Sequence, residues 1–410
     1  MKRVYILTSL VLFVLQTTAQ EISYNEYMKR VFSNNIALTA KKLDIDIAEA
    51  AVKSSKVYND PTLAVSYTNN EDWSKELGQG IEFELSKSFT FGVRHGRIDV
   101  ADKERRQTVA LLEEYIRNFR ANATIAYLEH IRANMMLQET TEMYNDITEV
   151  ANNDSIRFHK GDIAESNWLE SRMAQGIARN AMFEAEALQS NTAIMLGYFM
   201  GDIVNAETLR GTGTLEISGE PAPLNEYLRT AIEHRPDIVV ALSQADIVEA
   251  KLKFNKAQRR PELNVNIGAT YNFSNPDFTT LKAGIAIPLK FSSLNKGTRM
   301  IDETLLKQAN IEANEARLLV ETEVMQAYSD FKYSAKQAET FSTKMLSDMK
   351  RVVESKRKAY ELGEISFLDY LIVERSENEM RQQYIDALFG KAAAWVELQH
   401  AIGFGLEYKQ

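Results

Sequence analysis

Histidine and acidic residues are the groups in this sequence that most often perform catalysis or bind metals, but their spacing assembles no active site. The chain has five histidines, and no two of them have the spacing of a metal-binding motif such as His-Glu-x-x-His. They are His95, His130, His159, His234 and His400. Carboxylate pairs such as Asp44/Asp46 lie in charged, helix-like stretches, where acidic side chains usually form a solvated face. The absence of cysteine excludes disulfides, thiolate metal sites and a cysteine nucleophile. We therefore expect no catalytic, cofactor-binding or metal-binding residues, and a protein that is not an enzyme.

The charge of the chain excludes one class of partner. The sequence carries a formal net charge of −9 at pH 7. Nucleic-acid binding depends on clusters of Lys and Arg that neutralise phosphate groups. We therefore expect no nucleic-acid partner.

The start of the chain has the features of an export signal. Lys2 and Arg3 precede an apolar run over 4–15, and a small-residue cleavage site ends at Ala19. That run is too short for a membrane-spanning helix, which needs ~20 residues. We predict a signal peptide at 1–19 and an exported mature protein.

A long internal repeat organises the rest of the chain. Asp46–Val65 reads DIAEAAVKSSKVYNDPTLAV and Asp246–Val265 reads DIVEAKLKFNKAQRRPELNV. In both segments a helical pattern ends shortly before a proline, Pro61 or Pro261, and an alternating strand pattern follows. The spacing is far longer than the ~20–50 residues of solenoid repeats. We therefore predict two equivalent structural repeats within one intertwined domain. They span 20–220 and 221–410.

Each repeat contains a pair of stretches with the period-two alternation of β-strands. The pair lies at about 62–88 in the first repeat and at about 262–290 in the second. The alternation predicts hairpins with one apolar and one polar face, and four residues mark the polar face. They are Glu82, Glu84, Asn264 and Asn266. An isolated hairpin is marginal in water, so the apolar face needs a partner. In a soluble α+β protein it would pack on a helix. In a membrane β-barrel it would face lipid, and the polar residues would face a wet lumen. The recurrence of the hairpin favours the barrel.

Stretches without proline predict long helices. Apolar residues from Val109 to Ala151 follow alternating steps of three and four, the pattern of a left-handed coiled-coil seam. The seam includes His130, which we predict to be a packed, hydrogen-bonded side chain rather than a ligand. At 1.5 Å per residue, a helix over 92–158 would be about 100 Å long. We predict long helical hairpins at about 92–200 and about 297–400.

Shorter features connect these elements. Ser23–Tyr58 is predicted as a helix, with Asn34-Asn35 as a candidate interruption, and the helix after Gly297 is predicted to continue past Val352. Gly201–Pro223 contains two prolines and Gly211-Thr212-Gly213, so it is predicted as the irregular junction between the repeats.

In this order of elements the chain resembles the TolC-like family of outer-membrane efflux proteins. The resembling features are the export signal, the boundaries at Pro61 and Pro261, the two hairpins, and the passage from strand to helix after Ile287-Pro288-Leu289. Turns at Gly161 and Gly363 lie where the periplasmic helix tips of the family fall. The resemblance covers essentially the whole mature chain and rests on the order and duplication of elements, since no single motif is specific.

The resemblance implies a mainly α fold with a β-barrel portion. A homotrimer would combine duplicated helix–β-hairpin–long helix–helix halves into a trimeric α-helical periplasmic tunnel and a shared 12-stranded outer-membrane β-barrel. The location would be the outer membrane of a Gram-negative bacterium, with lipid around the barrel. Many family members carry an acylated N-terminal cysteine, which this sequence lacks.

The same resemblance implies a function. The protein would be the exit duct of a tripartite efflux or secretion system, passively conducting solutes to the exterior. Its partners would be an inner-membrane transporter and a periplasmic adaptor protein, and no cofactor is implied. The alternative is an exported scaffold protein, whose long coiled coil would act as a spacer in the periplasm.

Six turn residues would then surround the periplasmic mouth. They are Gly161, Asp162, Ile163, Gly363, Glu364 and Ile365. Threefold symmetry would turn each acidic residue into a ring, which favours cations in a narrow pore. The same turns would dock the adaptor. A simpler interpretation is that Asp162 and Glu364 only stabilise the positive end of the helix that follows each of them.

Overall fold

The computed structural model describes residues 20–69, 78–206, 208–217, 221–273, 275–289, 296–341 and 343–403. The predicted signal peptide at 1–19 lies outside the described residues. Residues 70–77, inside the hairpin predicted at about 62–88, lie outside them as well.

Nine α-helices contain most of the described residues. They are α1 (Tyr24–Asn34), α2 (Ile36–Ser55), α3 (Val93–Lys160), α4 (Glu165–Met200), α5 (Leu224–His234), α6 (Pro236–Gln258), α7 (Lys296–Thr340), α8 (Thr343–Glu361) and α9 (Phe367–Ile402). Six strands accompany them in the described part of the chain. They are β1 (Gln20–Ser23), β2 (Thr62–Asn69), β3 (Gln79–Phe89), β4 (Leu209–Thr212), β5 (Leu263–Asn272) and β6 (Thr280–Ala286). Two short helices, two strands and long helices follow one another twice along the chain.

The helix predicted over Ser23–Tyr58 is interrupted at Asn35 and ends at Ser55. Asn35 has an extended backbone, and its side-chain oxygen accepts the Leu38 N–H at 2.9 Å, which caps α2. Its side-chain nitrogen donates to the Phe199 carbonyl at 3.0 Å, close to the end of α4. The interruption is therefore held by a contact between two elements distant in sequence.

The second long helix is also interrupted, whereas α3 runs without a break for 68 residues. We predicted one continuous helix past Val352, but α7 ends at Thr340 and α8 begins at Thr343. The Phe341 N–H bonds to the Ala338 carbonyl at 3.2 Å. Such a bond to the third preceding residue tightens a final helical turn.

The predicted seam of α3 is the contact face of that helix. Every seam residue from Val109 to Ala151 is half-buried or buried. The largest hydrophobic cluster forms where α3 meets α1 and α4, around Tyr27 and Tyr127, both fully buried. The Tyr27 hydroxyl donates to the Ala123 carbonyl at 3.2 Å, so these large side chains also satisfy their polar ends.

His130 is a packed core residue, as predicted. Its side chain is fully buried, and Nδ1 lies 2.9 Å from the Thr192 hydroxyl on α4. Burial lowers the pKa of His130 to about 4, and the nearby Arg210 acts in the same direction. At neutral pH this histidine is therefore uncharged.

The junction between the halves contains a strand that the sequence pattern did not indicate. Within Gly201–Pro223, β4 pairs in parallel with β1 at the start of the described chain. The Tyr127 hydroxyl on α3 lies 2.9 Å from the Ile22 carbonyl and 2.6 Å from the Thr212 carbonyl, so it touches both strands. Strands of four residues are too short to show a recognisable alternation.

Among the described residues, no helix combines the length and the apolar character required to cross a membrane.

Candidate functional site

The four longer strands form one antiparallel sheet in the order β2-β3-β5-β6. One row across the sheet contains Leu63, Leu85, Ile267 and Ala283. Another row contains Val65, Phe83, Ala269 and Leu281. Because alternate residues of a strand point to opposite faces, these rows lie on the same face. The predicted alternation therefore produces an apolar face that crosses all four strands.

The apolar face of the sheet is not covered by any other described part of the chain. Leu281 is 89% exposed, Ile285 is 68% exposed and Leu63 is 64% exposed. Isolated apolar residues are common on protein surfaces, but a contiguous apolar face of this kind indicates contact with a partner or a membrane. The α+β interpretation, in which a helix covers this face, is therefore wrong.

The predicted polar residues of the strands all lie on the opposite face. Glu82 pairs across the strands with Thr270, Glu84 with Gly268, Asn266 with Ser86 and Asn264 with Ser88. The Lys282 ammonium on β6 is 2.9 Å from a carboxylate oxygen of Glu82, and the Ser88 hydroxyl donates to the Asn264 side chain. Their position at a lumen stays a prediction.

The sheet ends in two open edges. Within the described residues, β2 pairs only with β3 and β6 pairs only with β5. Unpaired edges expose backbone N–H and C=O groups, which readily pair with another strand. Within the described residues, a single copy of the chain therefore leaves both edges of the sheet unpaired with another strand and its apolar face uncovered.

Pro61 and Pro261 both lie between a helix and a strand. Pro61 is between the end of α2 and the start of β2, and Pro261 is between the end of α6 and the start of β5. The residue before a proline disfavours helical dihedrals, which explains why the chain becomes extended at both positions. A role as the boundary between barrel and tunnel is a prediction.

The two glycine turns have the same geometry. Gly161 has a φ of 84° and Gly363 a φ of 78°, both in the left-handed region. The Asp162 N–H bonds to the Arg157 carbonyl at 2.9 Å, and the Glu364 N–H bonds to the Ala359 carbonyl at 2.9 Å. These are the hydrogen bonds of a glycine-terminated helix, so α3 and α8 end in the same way.

The side chains that follow the two glycines differ in exposure. Asp162 and Glu364 are exposed, whereas Ile163 and Ile365 are half-buried. Neither acidic residue caps the next helix, because α4 has no side-chain cap and α9 is capped by Ser366 together with Asp369. The two acidic side chains are therefore available for other contacts.

A hydrophobic cluster joins the ends of the two helical hairpins. Ile147 and Val150 on α3 and Ala174 on α4 pack with Tyr360 and Phe367 of the second half. The half-buried Ile365 packs against the same cluster. The structure thus packs the helices that flank the two predicted turns against each other.

A buried polar contact that the sequence did not indicate lies beside this cluster. Asp154 on α3 is 1% exposed, and the Tyr360 hydroxyl on α8 lies 2.8 and 2.7 Å from its two carboxylate oxygens. Arg157 is 3.7 Å from the same carboxylate. Burial raises the pKa of Asp154, while hydrogen bonds from Tyr360 and Ser171 and the charge of Arg157 oppose the rise. This contact links the two halves near the turns.

A second polar site lies between α3, α8 and α9. It is a cleft of about 210 Å³ lined by six acidic and three basic residues. Within it Glu374 is only 3% exposed, and one of its carboxylate oxygens has no hydrogen-bond partner among the described residues. Burial raises the pKa of Glu374 to about 7, with Asp146 and Glu377 adding to the rise, while Tyr370 and Arg357 oppose it. An acidic residue on a charged helix gives no sequence signal of such burial.

Comparison with known proteins identifies similarity to an efflux protein family and to a metal resistance protein. Residues 227–404 match the family described as outer membrane efflux protein. Over 385 residues the chain is 22% identical to the cobalt-zinc-cadmium resistance protein CzcC of Cupriavidus metallidurans, covering 93% of this chain and 90% of that protein.

Solved outer-membrane channels have the same fold. The Campylobacter jejuni CmeC outer membrane channel superimposes with a TM-score of 0.78 at 15% identity, covering 92% of this chain and 85% of that one. The open state of the Neisseria gonorrhoeae MtrE outer membrane channel gives 0.72 at 15% identity, covering 92% and 88%. These matches confirm the predicted resemblance. The family and these relatives are described as efflux proteins and outer-membrane channels, in agreement with the prediction that the chain is not an enzyme.

Proposed function

We propose that this chain is a member of the outer membrane efflux protein family, as its matches support, and that it is the exit duct of a tripartite efflux system. Three copies would pass solutes from an inner-membrane transporter and a periplasmic adaptor protein to the exterior. The two repeats, 20–220 and 221–410, would each contribute one hairpin and one long helical hairpin to this duct.

The observation that carries the proposal is the uncovered sheet. In lipid, every backbone polar group must be satisfied, so a spanning sheet has to close on itself. Four strands with two open edges cannot do this alone. Three copies joined edge to edge would close a barrel of twelve strands, with the apolar face towards lipid. Glu82, Glu84, Asn264 and Asn266 would then face the lumen.

The helices would continue the duct into the periplasm. Several large apolar side chains along α4 are exposed, among them Met173 (68%) and Ile194 (56%). Burial of such side chains contributes ~25 cal/mol per Å² of apolar area removed from water, so contact between neighbouring copies would stabilise a trimeric tunnel. Pro61 and Pro261 would mark the boundary between tunnel and barrel.

The exposed turns would form the periplasmic mouth. Gly161 and Gly363 end the helices there, and the half-buried Ile163 and Ile365 adjoin them. Asp162 and Glu364 would form acidic rings around the pore and contact the adaptor. The likeness to a cobalt-zinc-cadmium resistance protein makes divalent metal cations the first substrates to test.

Fractionation and oligomeric state test the proposed function. The full-length protein should be found in the outer-membrane fraction and should be extracted by detergent as a trimer. Recovery as a monomer in the soluble periplasmic extract would contradict the proposal and support the scaffold alternative.

Conductance tests the acidic rings separately. The Asp162→Asn/Glu364→Gln variant, reconstituted in planar bilayers, should show reduced cation selectivity relative to the unmodified protein, because ring charges attract cations. A matched Glu165→Gln variant removes an acidic residue of the adjoining α4 and controls for loss of charge. Unchanged selectivity in the double variant would contradict the ring hypothesis.

A further inference from the structure

A cavity of about 380 Å³ lies where the end of α2, the end of β3 and the start of α3 meet. Its lining includes three basic residues, Lys87, Arg94 and Arg97, and no acidic residue. Two further residues of the lining are the aromatic Tyr58 and Phe91. The cavity therefore combines uncompensated positive charge with apolar surface.

Backbone contacts hold the two arginines in place without neutralising them. The Arg94 Nε donates to the Lys56 carbonyl at 2.8 Å, and the Arg97 Nε donates to the Ser55 carbonyl at 3.0 Å. Both carbonyls belong to the C-terminal end of α2, and this end of a helix attracts cations because it carries a partial negative charge. Because a carbonyl carries no net charge, the full positive charge of each guanidinium remains at the cavity.

Ion pairs neutralise arginines elsewhere on the same helix but not in this cavity. Asp102 on α3 lies 3.2 Å from Arg105 and 3.0 Å from Arg106. Among the described residues, no carboxylate lies within ion-pair distance of Lys87, Arg94 or Arg97.

The rim of the cavity is aromatic and exposed. Tyr58 is 69% exposed, Phe91 is 55% exposed and Phe89 is 46% exposed. The Arg94 guanidinium stacks over the Tyr58 ring at 4.3 Å, and the Lys87 ammonium lies 5.8 Å from the centre of the Phe89 ring. A ligand that fits both features needs an anionic group and a hydrocarbon part.

In the second half of the chain, a carboxylate pairs with an arginine at the end of the corresponding short helix. There Arg259 at the end of α6 pairs with Asp302 on α7 at 2.7 Å, and Asn255 donates to the same carboxylate at 3.0 Å. Asp302 thus neutralises the positive charge of Arg259. In the described part of the first half, Lys87, Arg94 and Arg97 line the cavity without a carboxylate beside them.

We propose that the cavity between α2, β3 and α3 binds the phosphate group of an anionic phospholipid through Lys87, Arg94 and Arg97. The acyl chain lies against Tyr58, Phe89 and Phe91. The inference rests on the proposed function, which places this end of the sheet at the surface of the outer membrane. Aromatic and basic side chains concentrate at the membrane–water interface. There the apolar part of the side chain contacts lipid and its polar end contacts water.

Lipid binding to the purified, delipidated full-length protein in detergent tests this inference. Phosphatidylglycerol added in mixed micelles should raise the thermal unfolding temperature more than phosphatidylcholine, and native mass spectrometry should detect it bound at one site per subunit. Inorganic phosphate alone should give no comparable rise, because it lacks the acyl chain.

Charge-removing variants locate the site. Lys87→Gln/Arg94→Gln should weaken phosphatidylglycerol binding by roughly 25-fold, since each basic residue near a lipid surface contributes about fivefold. Lys332→Gln/Arg351→Gln removes two exposed charges from α7 and α8 and should leave binding unchanged. If the double variant fails to fold, Lys87→Gln alone preserves the arginine contacts and should weaken binding by about fivefold.

The inference would be overturned if phosphatidylcholine or inorganic phosphate stabilised the protein as much as phosphatidylglycerol does. It would also be overturned if the cavity variant and the control variant bound phosphatidylglycerol equally well. This outcome is separable from failure of the proposed function. A protein that fractionates as an outer-membrane trimer but shows no preference for phosphatidylglycerol retains the function and loses the lipid site.

Discussion

At the scale of single residues, buried polar groups near the turns distinguish this chain from a simple coiled coil. Asp154 and Glu374 lie in stretches that read as ordinary charged helix, yet both are almost fully buried. Burying a carboxyl group is costly unless hydrogen bonds or opposite charges compensate. Their local partners therefore contribute directly to the packing of α3 against α8 and α9.

The contact between Tyr360 and Asp154 predicts a specific loss of stability. Tyr360→Phe removes the hydroxyl that contacts both oxygens of a buried carboxylate, and we expect the free energy of unfolding to fall by about 1–3 kcal/mol. Denaturant unfolding measures this change. Tyr333→Phe, which alters a 65% exposed tyrosine, is the control and should have almost no effect. Equal effects of the two substitutions would contradict the assignment.

The raised pKa of Glu374 predicts that the free energy of unfolding depends on pH. Its folded-state pKa of about 7 lies above the usual 4.5, so the folded protein binds this proton more tightly than the unfolded chain. Its contribution to stability is therefore greatest below pH 4.5, falls as the pH rises to 7, and stays low above that, with a total change of up to about 3 kcal/mol.

The Glu374→Gln variant tests that dependence, because glutamine does not titrate. Unfolding curves of the variant between pH 5 and 8 should decline less than those of the unmodified protein. Glu379→Gln changes an exposed residue of the same helix and should leave the decline intact. Parallel curves for Glu374→Gln and the unmodified protein would show that Glu374 does not titrate in this range.

At the scale of elements, the glycine turns are the features that end the long helices. Gly161 has open space around the position of an added Cβ, so only its backbone conformation opposes a side chain. We expect Gly161→Ala to lower the free energy of unfolding by about 1–2 kcal/mol, the cost of a left-handed conformation for a residue with a Cβ.

Gly176 provides the matched control. It also has open space around it but lies inside α4, where alanine favours the helix over glycine by ~0.5–1 kcal/mol. Gly176→Ala should therefore stabilise the protein. The opposite signs of the two Gly→Ala substitutions can be measured by thermal unfolding. Stabilisation by both would contradict the assigned turn geometry.

At the scale of the whole molecule, lysine substitutions on the two faces of the sheet should affect assembly differently. Val65 lies on the apolar face and is 56% exposed, while its neighbour Ser66 lies on the face that carries Glu82. If the apolar face contacts lipid, Val65→Lys should cost ~2–4 kcal/mol near the middle of the membrane. It should therefore reduce the amount of trimer in the outer-membrane fraction, whereas Ser66→Lys should assemble normally. Equal yields from both variants would show that this face does not meet lipid.

Local periodicity and a few special residues were enough to predict many of the elements of this fold. The alternation after Pro61 and Pro261 predicted the strands and their two faces, because side chains along a strand point to opposite sides. The α3 seam followed from the three-and-four spacing, and Gly161 and Gly363 marked helix ends. The order of these local features was sufficient to suggest the family.

Features that depend on contacts between distant segments could be seen only in the folded chain. The break at Asn35 is held by the end of α4, and the pairing of β1 with β4 joins residues 20–23 to 209–212. The burial of Asp154 and Glu374 and the charged cavity around Arg94 likewise require helices and strands from different parts of the chain. Local sequence patterns record which residues share a face of one element. Which faces then meet depends on long-range packing, and that packing decides where polar groups and charges are buried.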